Sequence, residues 1–223
     1  MNRFLRDKRV TGIDYAGNIR IKSILLVSCW LLLLMFYNCG SNGNDNAKAE
    51  KLSFEVNDSL LGPAFEVQAA NKLLYPPSGF ASIPDSLLQI FIKQQTILAK
   101  EFANIELVGM FFDSLYNSGL MVSVFNDLYL GSDTTVIIEK YRNSLEEFYG
   151  ADQVKTGDFL INDIYVKNFL ITDSLYIRFQ LLCLSENDQA MELHYFILKK
   201  HYQQLLKAIE SSMGTIQLIE QGG

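Results

Sequence analysis

The second half of the chain contains four apolar runs separated by short polar turns. The runs cover residues 154–161, 164–170, 175–184 and 189–198. Runs of this length that are rich in Ile, Val, Leu, Phe and Tyr are typical of β-strands. Because each turn holds only a few polar residues, neighbouring strands have to run antiparallel. The sequence therefore predicts an antiparallel meander as the centre of the fold.

The third run alternates between two faces, as a strand between two packed layers does. One face holds the residues Ile177, Phe179, Leu181 and Cys183. Arg178 and Gln180 lie on the opposite face. Cys183 is therefore expected to be a thiol of the core and not a nucleophile.

Helical spacing predicts three helices around this meander. The first covers residues 84–102, and the second starts at Asp133 as its N-cap and stops at Gly150. The last covers residues 199–213 and ends at Gly214. The second helix is expected to bury Ile137, Tyr141, Leu145 and Phe148. The last helix is expected to line up Tyr202, Leu205, Leu206, Ile209 and Met213.

Shorter alternating runs predict further strands. These are residues 52–56, 65–69, a hairpin of 105–112 with 120–128, and an extended tail at 215–219. Together the patterns predict an α+β fold, in which an antiparallel sheet of about six or seven strands is flanked by helices. The 172 residues from 52 to 223 amount to one domain.

A different pattern occupies the first 38 residues. Fourteen apolar residues, 24–37, follow a basic stretch that includes Arg20 and Lys22. As a helix they would span about 21 Å, which is short of the roughly 30 Å hydrocarbon core of a bilayer. The stretch is therefore interpreted as a signal peptide covering residues 1–38.

Two cysteines could mark the end of this signal. Leu26-Val27-Ser28-Cys29 resembles a bacterial lipobox, but cleavage there would leave an apolar start on the exported protein. Cys39 follows the whole apolar run and opens a Gly/Asn-rich tether, residues 39–51. We expect acyl chains, palmitate among them, on Cys39, with Cys29 as the alternative. Two or more chains would anchor the protein durably to a membrane of the cell envelope.

Charge restricts the partners of the exported part. The chain has 19 Lys and Arg and 25 Asp and Glu, of which residues 1–38 hold 6 and 2. Residues 39–223 therefore carry 13 basic against 23 acidic residues, a net charge of −10. Such a balance disfavours nucleic acid as a partner.

Two stretches carry a resemblance to a known family. The run 158–216, with its meander and the closing Ile209-Glu210-Ser211-Ser212-Met213-Gly214-Thr215-Ile216, resembles the C-terminal half of the PsbP-like superfamily. Leu74-Tyr75-Pro76-Pro77-Ser78-Gly79-Phe80 is similar to the entry near that family's N-terminus. The resemblance implies an α/β/α sandwich that works by binding. Relatives include assembly factors, small-GTPase partners, chaperones of hydrophobic segments and many bacterial lipoproteins.

Catalytic and metal signatures do not emerge from the sequence. His194 and His201 are the only histidines, and their spacing across a strand–helix junction does not suit shared ligation. Pro77-Ser78-Gly79 lacks the first glycine of a nucleophile elbow. Glu146 and Glu147 are adjacent and thus point about 100° apart on a helix. No cofactor is predicted.

The tripeptide Asp-Ser-Leu occurs four times, starting at Asp58, Asp85, Asp113 and Asp173. Each Asp or Ser is expected to close a turn or cap a helix, and each Leu to begin a buried segment. The tripeptide also resembles an acceptor signal for O-glycosylation in envelope proteins of certain bacteria. The acceptor hydroxyls would belong to Ser59, Ser86, Ser114 and Ser174.

The resulting hypothesis is a lipid-anchored, non-enzymatic protein of the cell envelope that binds a protein or an apolar ligand. An envelope hydrolase with an unrecognised site is one alternative, and a structural accessory subunit of a membrane complex is another. The hydrolase would need a cleft with at least two titratable groups of perturbed pKa.

Overall fold

A computed structural model describes residues 49–84, 86–88, 105–126, 128, 134–186 and 188–219. The predicted signal peptide, Cys29, Cys39, the predicted N-cap Asp133 and most of the predicted helix at 84–102 lie outside these ranges. In the described part of the chain, no helix is both long and apolar enough to cross a membrane.

Eleven strands occur in the described ranges. They are β1 (Glu50–Lys51), β2 (Phe65–Val67), β3 (Lys72–Leu74), β4 (Ala81–Ser82), β5 (Ile105–Asp113), β6 (Ser118–Phe125), β7 (Val154–Ile161), β8 (Ile164–Thr172), β9 (Tyr176–Leu184), β10 (Ala190–Leu198) and β11 (Gln217–Leu218). Eight of these described strands form the main sheet, in the order β1-β7-β8-β9-β10-β6-β5-β4.

The predicted meander is confirmed, since β7, β8, β9 and β10 pair antiparallel with their neighbours. The hairpin of β5 and β6 is confirmed as well and pairs with β10 through β6. The predicted number of six or seven strands is wrong, because the described ranges give the sheet eight. The edge strands β1 and β4 contain two residues each, which is too short for an alternating pattern to reveal.

The predicted strand at residues 52–56 is also wrong, because the strand ends at Lys51. β1 pairs parallel with β7, and the Leu52 N–H donates to the Leu160 carbonyl at 3.0 Å. The Asn57 N–H then donates to Ser211 Oγ at 3.2 Å. The alternation of apolar residues in this segment reflects packing onto the domain and not a ladder.

The two α-helices that the structure describes in full cover opposite faces of the sheet. They are α1 (Thr134–Tyr149) and α2 (Tyr202–Gly214). Gly150 takes a φ of 96° and ends α1 where the sequence predicted. Phe148 is 53% exposed, contrary to the expectation that α1 buries it. A 3₁₀ turn, Lys199–His201, precedes α2, so this helix starts three residues later than predicted.

Each face of the sheet has its own core. On one face, Leu205 and Ile209 of α2 pack with a group that includes Leu181, Cys183 and Leu193. On the other face, Tyr141 and Leu145 of α1 pack with the residues Phe169, Ile171, Leu182 and Leu184. Alternate residues of β9 thus face different helices, which is the arrangement predicted for that strand.

A smaller sheet of β11, β3 and β2 is joined to α2 by hydroxyl groups. The Ser212 hydroxyl donates to the Tyr75 carbonyl at 2.6 Å and lies 2.9 Å from the Tyr195 hydroxyl. The Tyr75 N–H donates to Thr215 Oγ1 at 2.9 Å. These bonds fix the position of α2, which forms one wall of the cavity described next.

Candidate functional site

A cavity of about 180 Å³ lies between α2 and strands β7, β8 and β9. Its floor is made by side chains of the three strands: Phe159, Ile161, Asn168, Phe179 and Leu181. The helix supplies Tyr202, Leu206, Ile209, Glu210 and Met213. Leu52 and Phe54, which follow β1, complete the lining. Most of this lining is aliphatic or aromatic, as is usual for sites that bind apolar molecules.

Two glycines allow the walls to take this shape. A Cβ at Gly214 would lie 2.8 Å from Phe54 Cβ and 2.8 Å from Val56 Cγ2. A Cβ at Gly157, which is paired with Asn168 in the ladder, would lie 2.8 Å from Phe159 Cζ. The absence of a side chain at these positions lets two phenyl rings of the lining come close to the backbone.

Asn168 is the polar residue in the floor of the cavity. It stands on β8 two residues after Val166, which is fully buried on the same face. Its Oδ1 is buried and has no hydrogen-bond partner among the described residues. An unpaired buried amide oxygen lowers stability, so its presence beside a cavity requires an explanation.

A buried polar cluster lies on the other face of the sheet, under α1. The Tyr141 hydroxyl donates to Glu192 Oε1 at 2.7 Å and lies 3.3 Å from Gln180 Oε1. Burial raises the pKa of Glu192 to about 7, although the hydrogen bond from Tyr141 opposes this shift. Burial and the charge of Glu192 likewise raise the pKa of Tyr141.

His194 belongs to the same cluster. Burial lowers the pKa of its imidazole to about 3, and the charge of Arg178 contributes to the shift. Its Nε2 is buried without a hydrogen-bond partner among the described residues. Arg178 is held by Asp173, with Nε 3.0 Å from Oδ2, and its guanidinium lies 4.8 Å from the centre of the Tyr176 ring.

This cluster contains a group suited to acid–base chemistry, because a carboxyl with a pKa near 7 exchanges protons at neutral pH. Glu192 and His194 are only 5% and 9% exposed, however. Both side chains are therefore closed to a substrate in this structure. The cavity on the opposite face has Glu210 and Tyr202 as the titratable groups of its described lining.

The other residues singled out in the sequence are dispersed. Cys183 is fully buried, and burial raises its pKa to about 12, as expected of a core thiol. His201 lies in the 3₁₀ turn beside Tyr116, with ring centres 5.0 Å apart. The described residues contain no group of three or more His, Cys, Asp or Glu that could hold a metal. Glu146 pairs with Arg142 one turn earlier on α1, at 3.4 Å.

Asp113 and Asp173 close turns, as predicted. Asp58 opens the 3₁₀ turn Asp58–Leu60, which the Asn57 side chain caps, and Asp85 lies outside the described residues. Oδ1 of Asp113 and of Asp173 accepts backbone N–H groups two and three residues later, at 2.7 to 3.2 Å. The serines of all four tripeptides, Ser59, Ser86, Ser114 and Ser174, are exposed.

The expectation that each leucine of these tripeptides begins a buried segment is wrong for three of them. Leu87, Leu115 and Leu175 are 48%, 74% and 62% exposed. At Leu115 and Leu175 the aspartate side chain closes the turn so tightly that the leucine is still on the turn when the chain reverses.

Two polar residues with unusual surroundings, Asn168 and Lys72, were not predicted from the sequence. Asn168 interrupts the apolar positions 164, 166 and 170 on one face of β8, a signal that could have been noticed. Lys72 is fully buried, and its Nζ donates to the Ala70 carbonyl at 2.9 Å and to Ser185 Oγ at 2.6 Å. Burial lowers the pKa of Lys72, while Cys183 and Asp188 act in the opposite direction. A lysine in a three-residue strand gives no sequence signal of burial.

Fold and cavity together define the class: an α+β protein with a large, mostly antiparallel sheet and an apolar cavity under one helix. Comparisons with family models and with curated proteins gave no match. Among solved structures, the chain is similar to the solution structure of cyanobacterial PsbP (CyanoP) from Synechocystis sp. PCC 6803. The identity is 8%, the TM-score is 0.46, and the match covers 81% of this chain and 99% of that chain. At this identity and TM-score the similarity assigns no activity and no functional residue to this chain.

Proposed function

We propose that this protein is a non-enzymatic binding module of the cell envelope, held at a membrane by acyl chains on Cys39. Its cavity takes an apolar ligand, or the apolar part of a protein. The observation that carries the proposal is the cavity itself, which aliphatic and aromatic side chains line over most of its surface.

The size of the cavity supports this reading. An apolar cavity of roughly 150 Å³ engineered into another protein stays dry and binds benzene. The cavity here measures about 180 Å³ and, unlike the engineered one, is partly open to solvent, so a molecule or side chain of the size of one aromatic ring fits and can enter. Burial of such a group is favourable by roughly 25 cal/mol for each Å² of apolar surface removed from water.

The membrane anchor follows from the sequence. An apolar stretch too short to span a bilayer precedes Cys39, and a Gly/Asn-rich tether follows it. A tethered domain of net negative charge would stand clear of anionic lipid headgroups. Binding would then occur in solution next to the membrane.

Toluene, an apolar molecule of suitable size, tests the proposal. The protein for this experiment is the exported chain with Cys39→Ser, which lacks acyl chains and detergent. Titration of toluene followed by backbone amide NMR should shift signals of β8, β9 and α2. Leu206→Trp fills the cavity and should abolish these shifts.

Gln203→Trp provides the matched control, because this exposed position on α2 does not line the cavity. This variant should bind toluene as the parent protein does. If toluene leaves the β8, β9 and α2 signals unchanged, the cavity does not bind apolar ligands and the proposal fails.

An envelope hydrolase is the second candidate, favoured by the buried hydrogen-bonded pair of Tyr141 and Glu192, in which burial raises the pKa of the carboxyl. Hydrolysis of ester substrates by the purified protein, lost in Glu192→Gln and retained in Glu210→Gln, would establish this alternative. Equal activity of the two variants would refute a role for Glu192.

A further inference from the structure

Asn168 gives the cavity a chemical preference that its apolar lining alone would not provide. The residue lines the cavity, and its Oδ1 is buried without a hydrogen-bond partner among the described residues. Because Oδ1 is fully buried, a ligand reaches it only when rotation about χ2 turns it toward the cavity, and a hydrogen bond from the ligand then offsets the cost of the unpaired oxygen.

We infer that the cavity is a binding site for a small apolar group that carries one hydroxyl, which pairs with the amide of Asn168. This inference rests on the proposed function, since it specifies the ligand class for the same cavity. An alcohol, a phenol and a tyrosine side chain all supply this hydroxyl, because the recognised chemistry is the same.

The hydroxyl is favoured over other polar groups for a geometric reason. A carboxamide has an accepting end and a donating end, and rotation about χ2 exchanges them at little cost. A hydroxyl donates and accepts, so it pairs with Asn168 in either orientation. A carboxylate would instead bring a charge into an apolar cavity that already contains Glu210, which is unfavourable.

The neighbours of Asn168 leave the amide available to a ligand. Across the ladders it faces Gly157 on β7 and Leu181 on β9, which have no polar side chain to offer. Phe179 and Tyr202 stack above the strand with ring centres 6.3 Å apart and planes inclined by 20°. Both rings line the cavity, so a phenol would contact aromatic side chains as well as the amide.

A pair of probes that differ only in the hydroxyl tests the inference. They are p-cresol and toluene, titrated into the Cys39→Ser chain and into its Asn168→Leu variant. Burial of the p-cresol hydroxyl without a hydrogen-bond partner weakens binding, whereas a hydrogen bond to Asn168 compensates for this cost. We expect the ratio of the two dissociation constants to shift against p-cresol by roughly tenfold in Asn168→Leu.

Asn168→Leu should leave toluene binding intact or improve it, which shows that the variant is folded. Gln203→Leu removes an exposed amide from α2 outside the cavity and should leave both constants unchanged. If the ratio is the same in the parent and in Asn168→Leu, Asn168 does not recognise the hydroxyl and the inference is overturned. If toluene and p-cresol both fail to bind, the proposed function fails as well, so the two failures are distinguishable.

A further pair of probes separates the two sources of the hydroxyl. A tyrosine-containing peptide and a free alkanol such as 1-hexanol present the same group on different bodies. The inference is supported if either probe binds and its binding weakens in Asn168→Leu. The probe that binds more tightly indicates whether the natural ligand is a protein or a small molecule.

Discussion

The Tyr141 hydroxyl donates a hydrogen bond of 2.7 Å to Glu192 Oε1 across the interface between α1 and the sheet. Both side chains are buried, at 1% and 5% exposure. The bond joins the helix to β10, and Gln180 and His194 share the same polar environment. The stability of this contact should therefore depend on the protonation of Glu192.

Glu192→Gln should change how stability depends on pH. Burial raises the pKa of Glu192 from 4.5 to about 7 in the folded protein. The neutral form is thus favoured on folding, so stability from this group is complete below about pH 4.5 and is lost as the pH rises through about 7. The variant keeps an acceptor for Tyr141 and cannot ionise. It should gain on the order of 3 kcal/mol over the wild type between these pH values.

Urea unfolding of both proteins at several pH values measures this difference. His194 acts in the opposite sense, because burial lowers its pKa from 6.5 to about 3 and its contribution is lost as the pH falls through that range. Because both proteins contain His194, its contribution cancels when the free energy of unfolding of the wild type is subtracted from that of Glu192→Gln. A difference that does not grow from pH 4.5 to pH 7 would contradict the prediction.

Lys72→Met should destabilise the junction between the small sheet and the β9–β10 turn. Methionine keeps the aliphatic chain but leaves the Ala70 carbonyl and Ser185 Oγ without their donor. We expect a loss of about 1–3 kcal/mol in the free energy of unfolding, measured with urea. Lys207→Met, at an exposed position of α2, should stay within about 0.5 kcal/mol of wild type. Equal effects of the two substitutions would show that the buried ammonium is not a structural link.

Gly214→Ala should be destabilising, although alanine is the better helix former by about 1 kcal/mol. The new Cβ would lie 2.8 Å from Phe54 Cβ and would push the segment after β1 away from α2. We expect a net loss of about 1–3 kcal/mol. Hydrogen exchange should accelerate at the N–H groups of Leu52 and Asn57, which this segment donates to the domain. A more stable variant with unchanged exchange would disprove the close contact.

The anchoring cysteine can be identified by phase partitioning in Triton X-114. We expect Cys39→Ser to move the protein from the detergent phase to the aqueous phase, because it would carry no acyl chains. Cys29→Ser is the control and should remain in the detergent phase. The reverse pattern would make Cys29 the modified residue, and the mass of the N-terminal peptide would confirm which applies.

O-glycosylation is expected on the four exposed serines, Ser59, Ser86, Ser114 and Ser174. Mass spectrometry of protein isolated from the native envelope should find added sugar mass on their peptides. Ser53 is an equally exposed serine that follows no aspartate, so it serves as the internal control. Unmodified peptides for all four sites would end the hypothesis.

The central strands of this fold could be predicted from the sequence, whereas the cavity could not. β7 to β10 each hold eight or nine residues, so their apolar alternation and turns are unambiguous. β3 and β11 hold three and two residues, and their pairing depends on partners distant in sequence. The cavity combines β8, α2 and Leu52, and no local pattern reports that these segments meet. The burial of Lys72 is equally non-local, because its partner Ser185 is 113 residues away.

β1 shields two residues of the outermost long strand, Phe159 and Leu160, from further pairing. An uncovered strand at a sheet border is a template on which a second copy can add its own strand. A shortened protein that begins after Lys51 would uncover this template and should form fibres more readily than the intact chain. The residues of β1 are thus also expected to limit self-association through this edge of the sheet.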